Sequence, residues 1–178
     1  MNHQPSTKRS AFTLIEVLVV IAIIGILAAI IIPAAGSAKE TALKRRAATE
    51  MNSIKVAAMQ FQADHKYMPW PDKIKVGVDK WAADAGTQAP VMDLLTGNNA
   101  LKKGYLQIPE KSRPEDKSMV FLDPWRQPYV IGMDRNLDGA VLVANAPPWN
   151  GATVTEKVLV YSKGPTGKNE PMKTFDVP

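Results

Sequence analysis

Cysteine is absent from this chain. No disulfide, thiolate metal site or cysteine nucleophile is available, so a domain outside the cytoplasm must rest on packing or on a bound ion. Histidine is scarce: only His3 and His65 occur, too few for a histidine-rich metal centre. Acid is missing from the start, where nothing negative precedes Glu16 and the charge is carried by Lys8 and Arg9. No nucleophile elbow and no phosphate-binding loop is present, so nothing argues for an enzyme. The balance of 22 basic against 17 acidic residues gives +5, too mild to argue for nucleic acid. Trp70, Trp81, Trp125 and Trp149 are scattered rather than interleaved with a basic stripe, so nucleic acid is not an expected partner.

What the chain does have is one long apolar run. Residues 17–32 are 16 consecutive positions without a polar side chain, and counting from Phe12 gives 21. At about 1.5 Å per residue, such a helix matches a hydrocarbon core of about 30 Å. Glu16 lies at its start, and an acid there costs roughly 2.5–3.5 kcal/mol on insertion scales unless it finds a partner. An intramembrane acid is therefore a functional residue by default. A secretory signal would put its cleavage site after the apolar core, whereas here the basic residues and the small Ala11 stand before it.

Residues 8–16, KRSAFTLIE, resemble the processing site of type IV prepilins and type II secretion pseudopilins. That family has a basic leader, a small residue, then Phe-Thr-Leu-Ile-Glu opening a hydrophobic helix. The resemblance implies cleavage by a prepilin peptidase between Ala11 and Phe12, N-methylation of Phe12, and Glu16 as the assembly acid; Ala11 stands where the family usually has Gly. It further implies a single-pass protein of the inner membrane with a periplasmic C-terminal domain. Self-association into a helical fibre, an inner-membrane assembly platform and minor pilins are the implied partners. Lys39, Lys44, Arg45 and Arg46 follow the run, and the positive-inside rule alone favours the reverse orientation. A peptidase on the cytoplasmic side fixes the leader there, so those cations read as a solvated helix surface. Gly25 and Pro33 resemble pilin positions between which the helix can loosen on assembly.

The division expected is a leader over 1–11, a transmembrane and assembly helix over 12–33, and a globular domain over 34–178. Within the domain a helix is expected over 34–66, a loop-rich region over 67–120 and a β-region over 121–178. Ala47, Met51, Ile54, Ala58 and Phe61 step by four and three, the stripe of an amphipathic helix, with Lys44, Arg45, Lys55, Gln62 and Lys66 off the stripe. Pro69 and Pro71 end it. Between them and the β-region, Trp81 and residues 91–95 read as buried pieces, 92–97 as a short helix stopped by Gly97, and 111–118 as an exposed charged loop.

Three runs, QPYVIGMD, AVLVANA and EKVLVYS, suit strands of an antiparallel sheet packed on the helix. DPWRQPY resembles the Asp-Pro-Trp-Gly-x-Pro-Tyr signature of G-type major pseudopilins, with Arg126 for Gly. SKGPTG resembles their Ser-x-Gly-Pro-Asp-Gly turn, with Thr166 for Asp, which weakens transfer of a calcium ligand to that turn. DRNLDG places Asp134, Asn136 and Asp138 at alternate positions before a Gly, the opening of a calcium loop, although Asn145 stands where a bidentate Glu belongs. The alternative is an Asp-Gly hairpin with no ion. The chain reads as an α+β, pilin-like protein: a long N-terminal α-helix packed on a small C-terminal antiparallel sheet. Its expected function is a structural subunit of a type II secretion pseudopilus or type IV pilus-like fibre. The alternative is a minor pilin acting as a binding module for DNA or a surface.

Overall fold

The computed structural model describes residues 12–72, 78–143, 152–165 and 172–173. The leader, Ala11, Asn145 and Thr166 lie outside the described residues. Helix α1, Leu14–His65, runs without a break through Gly25 and Pro33. The chain divides into two compact units, 1–41 and 42–178, and α1 contributes to both.

In the second unit the expected stripe is the core. Met51, Ile54, Ala58 and Phe61 are fully buried and join Val91, Met92 and Leu95 with Ile131, Met133, Val158 and Val160 in one cluster. Lys44, Arg45 and Lys66 are exposed as expected, but Lys55 is half-buried and pairs with Glu156 at 2.9 Å. Arg46 departs from the solvated surface assigned to it, for Glu50 and Ser112 hold it half-buried.

The stretch 67–120 carries more structure than its sequence suggested. Strand β1, Lys80–Ala82, is part of the sheet, and helix α2 spans Ala85–Thr96, beginning seven residues before the expected Met92. Its start is fixed by a capping box in which the Asp84 side chain accepts from Thr87 N at 2.8 Å and the Thr87 hydroxyl accepts from Asp84 N at 3.2 Å. Pro90 sits inside the helix without ending it, and Gly97, at φ 127°, closes it. The 3₁₀ turn Glu110–Ser112 buries Ser112 within the segment expected to be an exposed loop.

Strands β2 (Val130–Met133), β3 (Val141–Val143), β4 (Ala152–Val154), β5 (Val158–Ser162) and β6 (Met172–Lys173) complete the fold. The main sheet is antiparallel in the order β1-β2-β5-β6, while β3 and β4 form a separate two-stranded ribbon. Gly132 pairs with Trp81 across β2 and β1, and a Cβ there would come within 2.5 Å of the indole ring. A side chain at 132 would have to push that ring aside. The AVLVANA strand therefore exists but does not join the sheet that β2 and β5 share.

Candidate functional site

The first unit presents apolar surface with little of its own to cover it. Among its described residues Leu14, Ile15, Val19, Ile23, Ile26 and Ile32 are all exposed. The first part of α1 is long and apolar enough to cross a membrane, with mean hydropathy 3.2 and none of that stretch buried. Phe12, Ile15, Glu16, Val19 and Val20 line one shallow hollow of about 380 Å³ along the helix start.

Glu16 has a partner inside its own chain. Its Oε2 accepts from Thr13 N and from Thr13 Oγ1, both at 2.8 Å, and Thr13 Oγ1 accepts from Glu16 N at 3.4 Å. This is the reciprocal Thr-x-x-Glu capping box at the start of α1. It satisfies helix N–H groups that have no carbonyl to meet. The signal is legible in the sequence as Thr13 and Glu16 three apart.

In the second unit the pseudopilin-like signature does structural work. Asp123 Oδ1 accepts from Trp125 N at 2.9 Å and Gln127 N at 2.8 Å, and Oδ2 accepts from Ser162 Oγ at 2.6 Å. Ser162 Oγ in turn accepts from Gly164 N at 3.0 Å, so the first acid of one signature and the first serine of the other are bonded. Burial raises the Asp123 carboxyl above its ordinary value, against the pull of those hydrogen bonds and with help from the Glu50 charge. Tyr129, the last residue of the signature, donates from its hydroxyl to Glu50 Oε2 at 2.6 Å. Burial, then that bond to Glu50, raises the Tyr129 phenol. Glu50 Oε1 meets Arg46 Nε at 2.9 Å, and Arg46 Nη2 donates to Ser112 Oγ at 2.7 Å. Gln88 on α2, fully buried, accepts from Phe121 N at 2.7 Å and donates to the Tyr129 carbonyl at 2.9 Å. None of Glu50, Ser112 or Gln88 was singled out by sequence.

The 134–139 loop is not a hairpin turn, because β2 and β3, which flank it, belong to different sheets. It folds on its own side chains. Asp134 Oδ2 accepts from Gly139 N at 2.9 Å, Asn136 Oδ1 from Asp138 N at 3.1 Å, and Asp138 Oδ1 from Ala140 N at 2.9 Å. Asn136 Nδ2 also donates to Asp138 Oδ2 at 2.7 Å. Asp134 is fully buried, and its Oδ1 has no hydrogen-bond partner. Asp79 closes the loop from outside, accepting from Arg135 N at 3.1 Å and Leu142 N at 2.7 Å. A buried carboxylate oxygen left without a donor, in the loop that also carries Asn136 and Asp138, is what a hard cation would take up. No group of three histidine, cysteine, aspartate or glutamate side chains gathers among the described residues.

Comparison with known proteins bears on both units. Residues 6–32 match the family model described as the prokaryotic N-terminal methylation motif. The chain is 29% identical over 124 residues to the type II secretion system core protein G of Escherichia coli K12, covering 70% of this chain and 72% of that protein. It is 35% identical over 66 residues to the core protein G of Vibrio cholerae serotype O1, covering 37% of this chain and 45% of that protein. No solved structure matches the chain significantly. A long N-terminal helix followed by a small antiparallel sheet is the fold expected of that ancestry. Motif, fold and similarity lead to the same place: the chain carries a prokaryotic N-terminal methylation motif and is homologous to the type II secretion core protein G, the major pseudopilin.

Proposed function

We propose that this protein is a structural subunit of a type II secretion pseudopilus, cut by a prepilin peptidase and assembled into a fibre through its N-terminal helix. The observation that carries the reading is the exposed apolar start of α1 lying directly within the methylation motif. Apolar surface of that extent is stable only in lipid or against other helices. The subunit is stored in the inner membrane with its 34–178 domain in the periplasm, and hands the same surface from lipid to neighbouring copies on assembly. The assembly platform and minor pilins complete the machinery. The domain's interior is built from packed side chains and hydrogen-bonded clamps, a structural role rather than a catalytic one.

In this reading cleavage falls between Ala11 and Phe12, and Phe12 becomes the methylated terminus. Glu16 then receives the charged terminus of a neighbouring subunit. The pair relieves two desolvation costs at once and sets register more than it adds net stability. Intact-mass and N-terminal sequencing of protein from cells with the cognate peptidase should give a chain beginning at methylated Phe12. A start beyond residue 33 would rule the reading out.

Calcium at the 134–139 loop belongs to the same proposal. Asp134 would hold it through the unpartnered Oδ1, with Asn136 and Asp138 beside it. The ion would supply the positive charge that the buried carboxylate lacks and tie the loop's two arms. Full-length protein in detergent should then melt higher in calcium than in chelator, by mass action. Asp134→Ala and Asp138→Ala should each remove the difference. Equal melting of the parent protein in both would exclude the ion.

A further inference from the structure

Four cations surround one hollow on the second unit. Lys111, Arg113, Lys117 and Arg126 line an open cavity of about 540 Å³, with Glu110 and Glu115 in the same wall. The two acids leave an excess of two positive charges. Although the acids are this close, none of the four cations pairs with a carboxylate among the described residues. Arg113 Nε is buried and has no hydrogen-bond partner. A buried guanidinium N–H that meets nothing is costly to keep.

Backbone conformation points to the same place. Lys117 and Arg126 sit at φ 58° and 68°, in the left-handed region that a side chain with a Cβ adopts only at a cost in free energy. Glycine would be the relaxed choice at 126, and the resembling signature has glycine there. Arg126 uses Nη1 to donate to the carbonyls of Lys111 at 3.1 Å and Arg113 at 3.2 Å. Those bonds occupy one nitrogen of its fork. A strained cation, kept where glycine would do, invites a reason beyond the fold.

We propose that this hollow is an oxyanion site that takes a phosphate group, with Arg113 and Arg126 as forked donors and Lys111 and Lys117 supplying charge. Guanidinium forks match the geometry of a phosphate and bind it in pairs. The excess of two positive charges equals the charge of a phosphate dianion. The phosphate comes either free or as an ester on a larger molecule, and both present the same oxygens. The site is independent of the fibre reading, since it lies wholly within the loop 108–126.

The test is calorimetric titration of the full chain, in a detergent without phosphate, using inorganic phosphate and glycerol 3-phosphate separately, with acetate as the control for charge alone. Both phosphates should bind with a dissociation constant on the order of 1 mM or below. Tighter binding of glycerol 3-phosphate assigns the site to an ester, and tighter binding of inorganic phosphate to the free ion. No binding of either, or equal binding of acetate, overturns the proposal. Arg126→Gly should melt at the same temperature or about a few degrees higher, because the strain is released, yet bind phosphate about tenfold or more weakly. Lower melting with unchanged phosphate binding would make Arg126 a strut for two carbonyls, and the proposal would fall. Should Arg126→Gly fail to fold, Arg113→Gln decides: it keeps a polar side chain but removes the guanidinium fork and its charge, and unchanged phosphate affinity would overturn the site.

Discussion

Helix α1 shows two apolar surfaces with opposite fates. In its first part Leu14 and Ile32 are 82% and 72% exposed, whereas in its second part Met51, Ile54 and Phe61 are entirely buried against the chain's own sheet and α2. The second surface is covered by the sequence that follows it. For the first, the chain supplies no cover among its described residues, so burial there has to come from lipid or from other subunits. Covered surface sets the stability of the domain. Uncovered surface sets where the protein resides and what it builds.

The sharpest way to break this comparison is a pair of truncations. Phe61→Ala should cost about 3–5 kcal/mol, because it empties a fully buried site, and the loss should appear as a lower melting temperature of the full chain in detergent. Ile24→Ala, on the exposed part, should leave that melting within about 0.5 kcal/mol while weakening retention in membranes. Comparable destabilisation from both would mean that the two surfaces are not different in kind.

A smaller effect probes how the covered half is held. Glu50→Ala leaves the Tyr129 hydroxyl and Arg46 Nε without their acceptor, and should cost on the order of 2–3 kcal/mol in the same melting experiment. Tyr129→Phe removes one donor and leaves Glu50 paired with Arg46, so it should cost less. Equal losses would show that Arg46 adds nothing.

The smallest effect is a pH dependence confined to the domain. The Asp123 carboxyl is raised in the folded protein by burial, so its contribution to stability is fully present below the ordinary value of 3.8 and is lost as pH rises through the folded value. Asp123→Asn cannot ionise. The variant should therefore gain on the parent in melting temperature as pH rises from below 3.8, and a constant difference across that range would contradict the assignment.

How much of this was legible depended on distance along the chain. The core stripe and the end of α1 at Pro69 and Pro71 were readable because both signals are local, one in helical spacing and one in a missing N–H. Pro90 hid the first half of α2, since the capping box at Asp84 outweighed a proline in the helix interior. The Asp-Gly pair suggested a hairpin, but which strands pair is settled by long-range contacts, and β2 is claimed by β1 and β5. Glu50 was invisible for the same reason. Its partners Ser112 and Tyr129 lie 62 and 79 residues away.

Glu16 is where the uncovered half makes its firmest claim, and its capping role offers a way to separate two explanations. Glutamine can close the same box with Thr13 but carries no charge. Glu16→Gln should therefore be cut after Ala11 and inserted in the membrane like the parent, with α1 intact, and still give few fibres. Glu16→Ala, which loses box and charge together, should match it. The measurement is fibre yield by shearing, immunoblot and electron microscopy from cells producing each variant with the assembly machinery. The account predicts a sharp loss for Glu16→Gln with processing unchanged; a normal fibre yield from that variant would contradict it.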